Sequence, residues 1–485
     1  MTFKPTQEQQ DILNTFKETR VLKVNAVAGS GKTSTLVLLA KDNIKPSLYV
    51  CFNKVIAEEA RTKFPAHVEC RTTHSLAYAE FGKYLQHKFN YPKGFYKNVA
   101  GTSAEVAKYY GINDFTDCRP EIRANTVASL VRTTVNRYQN SADTNIETKH
   151  VPYVEIKDLE KNHDNLDVPK LMKEVVRYVG KLWNDRKNPA SDVLCNPDTY
   201  LKLWQLSKPV LNYDILYFDE AQDSNPAVLD VVKRQTHCKI AYVGDTYQSI
   251  YQFRGAVNAM ELIDAPTRFL SKSFRYGDII AEVASMIISG AIDVKGNSSI
   301  ESSVCSITEP AYTYIFKTNA ALLDKAVELI DDGASVYVEA DTKGFCKQLE
   351  SAQALFDRDY KKVKHDNIAC FSNWYDLLEA AKEDAELSRV ATVVHSGNTQ
   401  SYILKLQDIV SKDKASILLT TAHKSKGKEW SNVIIADDFG FNTKKDNPLD
   451  GLSKADVNLL YVACTRAIHK LQLPKEMESY FYAQR

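Results

Sequence analysis

The chain has 485 residues, of which 44% are hydrophobic and 25% are charged, with 62 lysines and arginines against 61 aspartates and glutamates. This length predicts roughly two to four domains, each with its own hydrophobic core. The near-neutral charge excludes a global basic field, so a polyanion could be bound only by a local groove. The sequence has no run of about 18 apolar residues and no basic segment followed by an apolar one at its start, so we expect neither a membrane span nor export.

Nine cysteines are scattered along the chain, without a C-x-x-C pair or a histidine cluster at the spacing of metal ligands. This pattern argues against a zinc or iron–sulfur site. Free thiols in this number also fit a reducing compartment better than a secreted disulfide scaffold. We therefore expect most of the cysteines to pack in the core.

Short apolar runs alternate with helix-like segments near the start of the chain, and the same alternation returns in its last third. The runs cover residues 21–24, 48–51, 215–218 and 240–243, and then residues 312–316, 335–338, 417–419 and 433–436. Apolar strands followed by helices are typical of a parallel α/β sheet. The sequence therefore predicts an α/β fold with two such units.

Two helix-rich stretches interrupt these units, the first at residues 81–204 and the second at residues 345–411. In the first stretch, aromatic and apolar residues recur at helical spacing, which indicates a helical insertion. The boundaries that we predict are residues 1–80 and 205–260 for the first α/β domain, and residues 261–344 and 412–485 for the second.

A glycine-rich loop, NAVAGSGKT at residues 25–33, follows the first apolar run and precedes a helix-like segment. This order of strand, loop and helix is the one that a phosphate-binding P-loop requires. Gly29 and Gly31 would let backbone N–H groups face the phosphates, and Lys32 would reach the outer phosphates. The residues predicted to hold the nucleotide are Ala28, Gly29, Ser30, Gly31, Lys32 and Thr33. The alternative, a glycine turn beside a surface lysine, is disfavoured by the flanking strand and helix.

Two adjacent carboxylates, Asp219 and Glu220, follow the apolar run at residues 215–218 in the sequence DEAQD. Ligands of open α/β sheets gather at such strand ends. Asp219 would hold magnesium together with Thr33, while Glu220 would orient and deprotonate the water that attacks the terminal phosphate. An ordinary acidic loop is the alternative, which a P-loop on the same predicted sheet disfavours.

The order of these motifs resembles that of the UvrD/PcrA-like superfamily 1 DNA helicases. The matching stretches are the P-loop, DEAQD, CFNK at 51–54, TTHS at 72–75, VGDTYQSIYQFRGA at 243–256, SFR at 273–275, TAHKSKGKEW at 421–430 and YVACTRA at 461–467. Within the family, FNKVIAEEA, THSLAY, YLKLWQLS and NLLYVACTRA are most similar to the helicase part of the F-box DNA helicases and their phage-type relatives. We expect no F-box ahead of these motifs.

The resemblance implies two RecA-like P-loop domains with helical insertions, and ATP and Mg²⁺ as cofactors. The further nucleotide contacts that it implies are adenine recognition by Gln9, ring stacking by Phe274, γ-phosphate contacts by Gln248 and Arg275, ribose binding by Glu429 and neutralisation of the transferred phosphoryl charge by Arg466. Gln7 and Gln10 remain rivals for the role of Gln9.

The resemblance also implies a single-strand groove with aromatic faces for the bases and small polar groups for the phosphates. Its predicted members are Phe52, Asn53, His74, Ser75, Tyr251, Phe253, Arg254 and His423. Relatives often carry tryptophan where this chain has Phe253. For Tyr251, Phe253, His423 and the nucleotide-site Phe274, a purely structural place in the core is the alternative.

The function implied is an ATP-driven helicase or translocase that moves on single-stranded DNA from 3′ to 5′, in replication, recombination or repair. We expect it to work as a monomer at single-strand and junction DNA, with replication or recombination proteins as possible partners, in the cytoplasm or wherever the DNA lies. Two alternatives stay open: a nucleotide-gated DNA-binding switch that does not unwind, and a P-loop phosphotransferase acting on a small molecule.

Overall fold

The structure is a computed structural model that describes residues 4–89, 101–251, 258–369, 371, 373–381, 385–442 and 445–485. The chain divides into two compact units. The first comprises Met1–Asn25 and Lys32–Phe269, and the second comprises Ala26–Gly31 and Leu270–Arg485.

A six-stranded sheet forms the centre of the first unit. Its strands are β1 (Val21–Ala26), β2 (Ser47–Cys51), β3 (Val68–Thr72), β4 (Ile215–Phe218), β5 (Lys239–Gly244) and β6 (Thr267–Leu270). Their order is β3-β2-β4-β5-β1-β6, and the neighbours from β3 to β1 run parallel. Because β1, β4 and β5 are adjacent and parallel, the segments that follow them leave the sheet at one edge.

Helices cover this sheet and build the insertion between β3 and β4. They are α1 (Gln7–Glu18), α2 (Lys32–Asp42), α3 (Lys54–Lys63), α4 (Thr73–Ala77), α5 (Lys83–Leu85), α6 (Ser103–Tyr110), α7 (Ala124–Asn140), α8 (Tyr153–Asn162), α9 (Val168–Lys187), α10 (Pro197–Leu206), α11 (Pro226–Lys233) and α12 (Ala259–Leu262). The apolar faces of α6 to α9 share a separate core that includes Val131 and Val179. By contrast, Leu201 and Trp204 of α10 pack in the core beneath the sheet.

Helix α9 shows how the sequence specifies the insertion. Leu171, Val175 and Leu182 are fully buried and recur at helical spacing, so one face of the helix packs inward. At its C-terminal end, the buried ammonium of Lys88 donates to the carbonyl oxygens of Asp185, Arg186 and Asn188 at 2.6, 3.0 and 2.6 Å. A cation that satisfies the last carbonyls of a helix also complements the helix dipole.

We predict that Lys88→Met destabilises the insertion, because an apolar side chain of similar length leaves these buried carbonyls without a donor. Each such loss costs about 1–3 kcal/mol. Thermal unfolding should show a lower Tm for Lys88→Met. The Tm of Lys83→Met should not change, since Lys83 is exposed in the adjacent turn. An equal Tm for the two variants would contradict the capping role.

The second unit also contains a six-stranded sheet. Its strands are β7 (Ser303–Val304), β8 (Tyr312–Phe316), β9 (Val336–Val338), β10 (Ile417–Thr421), β11 (Trp430–Ile435) and β12 (Ala467–Gln472). Their order is β7-β12-β11-β8-β10-β9, and every neighbouring pair runs parallel.

The helices of the second unit lie between and after these strands. They are α13 (Asp278–Ile287), α14 (Asn319–Asp331), α15 (Thr342–Phe356), α16 (Asp366–Ala369), α17 (Trp374–Ala381), α18 (Ala385–His395), α19 (Thr399–Gln407), α20 (Ala422–Ser425), α21 (Lys454–Cys464) and α22 (Lys475–Gln484). Leu349 of α15 and Val390 of α18 belong to the same buried core as Leu419 of β10. The second helix-rich stretch therefore shares one hydrophobic core with this sheet.

The α/β prediction is confirmed, since both sheets have parallel strands and each predicted apolar run overlaps a strand. The sequence analysis missed β3, β6, β7 and β12. β7 has only two residues, and β3 and β12 alternate buried with more exposed positions at or near a sheet edge, so neither forms a continuous apolar run. Within the described part of the chain, no helix combines the length and apolar character needed to cross a membrane.

Candidate active site

A lysine and two carboxylates meet at the edge of the first sheet. Lys32 begins α2, and its ammonium lies 3.2 Å from Oε1 of Glu220, which follows β4. Burial alone would lower the pKa of Lys32, but the carboxylates of Glu220, Asp245 and Asp219 outweigh it and raise the pKa. The lysine is therefore held in its charged form, as a group that binds phosphate oxygens must be.

Asp219 is buried and receives three hydrogen bonds. The hydroxyl of Tyr49 donates to Oδ2 at 2.7 Å, the hydroxyl of Thr33 donates to the same oxygen at 3.4 Å, and the backbone N–H of Glu220 donates to Oδ1 at 2.9 Å. Burial, followed by the neighbouring charge of Glu220, raises the pKa of Asp219 to about 6. Tyr49 was not predicted as a site residue, because a tyrosine inside an apolar strand reads as a core position.

The donor set of Thr33 and Asp219 fits a hard divalent cation. Both side chains offer oxygen ligands, and their oxygens are already 3.4 Å apart. Burial and the charge of Glu220 raise the pKa of Asp219, and a bound cation would oppose both effects by stabilising the ionised carboxylate. The residues present are thus compatible with the Mg²⁺ that the motifs imply.

Asp245 and Gln248 lie where β5 ends. Asp245 is fully buried, and the amide of Gln248 donates to its Oδ2 at 2.8 Å. Burial raises the pKa of Asp245, although the charge of Lys32 opposes that effect. Gln248 was predicted from the resemblance, whereas Asp245 was missed. The signal that could have revealed Asp245 is its position directly after a buried strand, which matches that of Asp219 after β4.

The P-loop residues 28–31 group with the second unit. Gly29 and Gly31 have φ values of 74° and 80°, in the left-handed region that favours glycine. A methyl group at Gly29 would come within 2.6 Å of Cβ of Arg275, and the N–H of Phe274 donates to the carbonyl of Gly29 at 2.9 Å. The buried hydroxyl of Ser30 has no hydrogen-bond partner within the described ranges. Its predicted contact with the nucleotide stays a prediction.

Gln9, the predicted adenine-binding residue, is buried at the start of α1. Its amide nitrogen donates to the hydroxyl of Thr35 at 3.0 Å, and its amide oxygen accepts from the backbone N–H of Thr6 at 3.0 Å. The second of these bonds belongs to the capping box that begins the helix. An amide has a second N–H and a second lone pair, so these contacts leave adenine recognition by Gln9 as a prediction.

Three predicted DNA-binding residues, Phe52, His74 and Tyr251, line one cavity of about 280 Å³ in the first unit. The ring of Phe52 is 52% exposed and meets the imidazole of His74 edge to face, with centroids 6.1 Å apart. Nε2 of His74 lies 3.5 Å from Oδ1 of Asp198, the second residue of α10. Asp219 and the other residues at the end of β4 form the inner wall.

The other predicted groove residues of the first unit differ in their placement. The side chain of Asn53 caps α3 by accepting from the N–H of Val55 at 2.8 Å, and the hydroxyl of Ser75 completes the capping box of α4. Both side chains therefore have a local structural role. Phe253 and Arg254 lie outside the described residues.

The predicted arginine fingers are held by groups of the second unit. Nε of Arg275 lies 2.8 Å from Oε2 of Glu429, the predicted ribose ligand, and its guanidinium also donates to the carbonyl of Thr465 at 3.1 Å. Arg466 is buried, and it donates to the carbonyl of Val462 at 2.8 Å and to the hydroxyl of Thr465 at 3.0 Å. Thr465 therefore contacts both arginines.

The remaining predicted residues of the second unit are Phe274 and His423. Phe274 is 41% exposed, and the ammonium of Lys272 lies over its ring at 6.0 Å from the centroid. Its predicted stacking on adenine stays a prediction. His423 lies half-buried in the short helix α20. Its predicted DNA contact stays a prediction.

We predict that Asp219→Asn stabilises the nucleotide-free protein above pH 6. The pKa of Asp219 rises from 3.8 to about 6 on folding, so the ionised carboxylate opposes folding above pH 6 and this penalty disappears below pH 3.8. Asparagine removes the charge and can still accept from Tyr49. Thermal unfolding should therefore give a higher Tm for Asp219→Asn at pH 8, with the difference shrinking as the pH falls through 6. A lower Tm at pH 8 would contradict this account.

Comparisons with known proteins agree with this geometry. A family model of the UvrD/REP helicase N-terminal domain matches residues 5–264, and a model of the UvrD-like helicase C-terminal domain matches residues 416–473. The first model covers more than half of the chain. Both matches confirm the resemblance that the motifs indicate.

Two relatives match almost the whole chain. F-box DNA helicase protein 1 of Schizosaccharomyces pombe is 31% identical in an alignment of 534 positions, gaps included, that covers 96% of this chain and 57% of that protein. F-box DNA helicase 1 of Gallus gallus is 31% identical in an alignment of 517 positions that covers 98% of this chain and 49% of that protein. The chain thus spans about half the length of these relatives. It belongs to the UvrD/REP helicase family.

Proposed function

We propose that the chain is an ATP-dependent helicase or translocase that moves on single-stranded DNA, with 3′-to-5′ polarity, in replication, recombination or repair. The observation that carries the proposal is the cluster formed by the partly buried Lys32 and Glu220 with the buried Asp219, beside Thr33. The two relatives named DNA helicases support DNA as the substrate. A magnesium ion held by Thr33 and Asp219 would neutralise the charge that develops on the phosphates.

Hydrolysis follows from the chemistry of these side chains. Lys32 binds the outer phosphates, and Glu220 accepts a proton from water as the water oxygen bonds to the γ-phosphorus and the bond to ADP breaks. Gln248, which bonds to Asp245, is proposed to respond to the loss of the γ-phosphate. Arg275 and Arg466 are proposed to stabilise the charge on the transferred phosphoryl group.

The cavity of the first unit suits a nucleobase better than a phosphate. No lysine or arginine belongs to the part of its wall that the structure describes, and carboxylates lie among its lining groups. Negative phosphates would be repelled there, whereas a base can contact the exposed ring of Phe52 and the edge of His74. A base bound in this cavity would contact the segment that carries Asp219. Such contact would link the binding of single-stranded DNA to the hydrolysis of ATP.

We predict that Lys32→Ala abolishes ATP hydrolysis and leaves DNA affinity measurable, because the lysine does not line the cavity. Lys41→Ala is the matched control, since Lys41 is exposed in the last turn of the same helix. The measurements are phosphate release and fluorescence anisotropy of a labelled single strand. Hydrolysis that persists in Lys32→Ala would exclude this lysine from the active site.

We predict that Phe52→Ala weakens stimulation of hydrolysis by single-stranded DNA and leaves the basal rate intact. Loss of a stacked base should cost about 1–3 kcal/mol of DNA affinity. Val55→Ala is the control, because Val55 is an exposed apolar residue of the neighbouring helix. If basal and stimulated rates fall together, Phe52 has a structural role instead.

The experiment that tests the proposed function is strand displacement from partial duplexes that carry either a 3′ or a 5′ single-stranded tail. Displacement that requires ATP and a 3′ tail is the expected result. ATP-dependent displacement from the 5′ tail alone would reverse the polarity. Hydrolysis stimulated by DNA without displacement would instead favour a nucleotide-gated switch.

A further inference from the structure

Gln222, three residues after Asp219, is fully buried, and both ends of its amide contact groups around the active site. Its Nε2 donates to Oε2 of Glu220 at 2.5 Å, and its Oε1 accepts from the backbone N–H of Asp245 at 3.1 Å. One side chain thus joins the carboxylate that follows β4 to the backbone that follows β5.

The segment after β5 holds Gln222 closely. Gly244, the last residue of β5, lies so near that a methyl group there would come within 2.4 Å of Oε1 of Gln222. Non-bonded atoms do not approach this closely, so a methyl group at position 244 would displace the amide oxygen of Gln222. The hydroxyl of Ser249 also donates to the carbonyl of Gln222 at 3.1 Å. Backbone and side chain of Gln222 therefore both contact residues 244–249, which include Gln248.

The backbone conformation of Glu220 requires support from surrounding contacts. Its φ of 51° lies in the left-handed region, which is unfavourable for a residue with a Cβ atom and persists where surrounding contacts enforce it. Its Oε1 faces the ammonium of Lys32, and its Oε2 accepts from Gln222. Contacts to both oxygens fix the plane of the carboxylate and thereby the direction in which it can accept a proton.

We propose that Gln222 is a positioning residue that fixes the carboxylate of Glu220 and transmits movements of residues 244–249 to it. The inference rests on the proposed function, because Glu220 acts on water only if the chain hydrolyses ATP. When residues 244–249 respond to the nucleotide or to DNA, the amide of Gln222 moves with the N–H of Asp245. The same amide then changes the orientation of Glu220.

The competing explanation is that Gln222 only fills space in the core. A variant that keeps the volume of the side chain and removes its amide distinguishes the two explanations. Gln222→Met keeps the length of the side chain and removes both hydrogen-bonding groups. Gln235→Met is the matched control: Gln235 is also buried, and its amide contacts the backbone of Leu211 and Pro209 near the start of β4. A loss of function caused by burying methionine in place of glutamine would appear in both variants.

The test compares kcat and the KM for ATP at saturating single-stranded DNA. Misplacement of a catalytic group by about 1 Å can cost about a hundredfold in rate, so we expect kcat of Gln222→Met to fall about ten- to a hundredfold with little change in KM. DNA affinity without nucleotide should be unchanged, and Gln235→Met should retain its kcat. Unchanged kcat in a folded Gln222→Met variant would overturn the inference and leave the proposed function standing. Absence of hydrolysis in the unmodified chain would overturn both.

A mutant cycle with Gly244 gives a second, independent test. Gly244→Ala alone should lower kcat, because its methyl group displaces the amide oxygen of Gln222. In the Gln222→Ala background that oxygen is gone, and the nearest remaining atoms are Cγ and Sδ of Met260 at 3.1 Å, so the added methyl group should change kcat much less. Such non-additivity indicates direct coupling. Effects that simply multiply would show that the two residues act independently and would contradict the inference.

Discussion

A lysine enclosed among carboxylates sets the requirements for the active-site edge of the first unit. Lys32 lies 3.2 Å from Glu220, and the charges of Asp219 and Asp245 also act on it. Because the side chains of Lys32 and Glu220 are only 13% and 20% exposed, removing one partner would leave the other charge largely desolvated and uncompensated, so the groups must be supplied together. The carboxylates outnumber the lysine and leave Asp219 with a raised pKa. That excess of negative charge is a cost to folding and suits a site that takes up a cation with its nucleotide.

The sheet order is what brings these charges together. Lys32 follows β1, Asp219 and Glu220 follow β4, and Asp245 follows β5, and the three strands are neighbours although about 190 residues separate the first two in the chain. The helical insertion fills much of that separation. Its helix α10 returns to the sheet core through Trp204 and presents Asp198 to His74. The insertion thus supplies one wall of the cavity in which we propose that a base binds.

The sequence predicted those parts that are encoded locally. The run at residues 215–218 became β4 without a shift, because a strand buried on both faces is a continuous apolar run. Tyr49, Gln222 and Asp245 were missed, because they join the site only through the strand order, and an isolated tyrosine or glutamine carries no local signal. Asn53 shows the converse case. Its amide suits a DNA groove, yet in the structure this side chain caps a helix. An asparagine directly before an amphipathic segment is also a favourable N-cap residue, so the sequence allowed both roles.

The central claim is that this cluster of charged residues hydrolyses ATP in response to a single strand. The most direct measurement is the steady-state rate of phosphate release by the purified chain as single-stranded DNA is titrated in at saturating ATP and magnesium. The account predicts a saturable rise in rate, with duplex of the same length far less effective. A rate that stays constant throughout the titration, or no phosphate release at any DNA concentration, would contradict it.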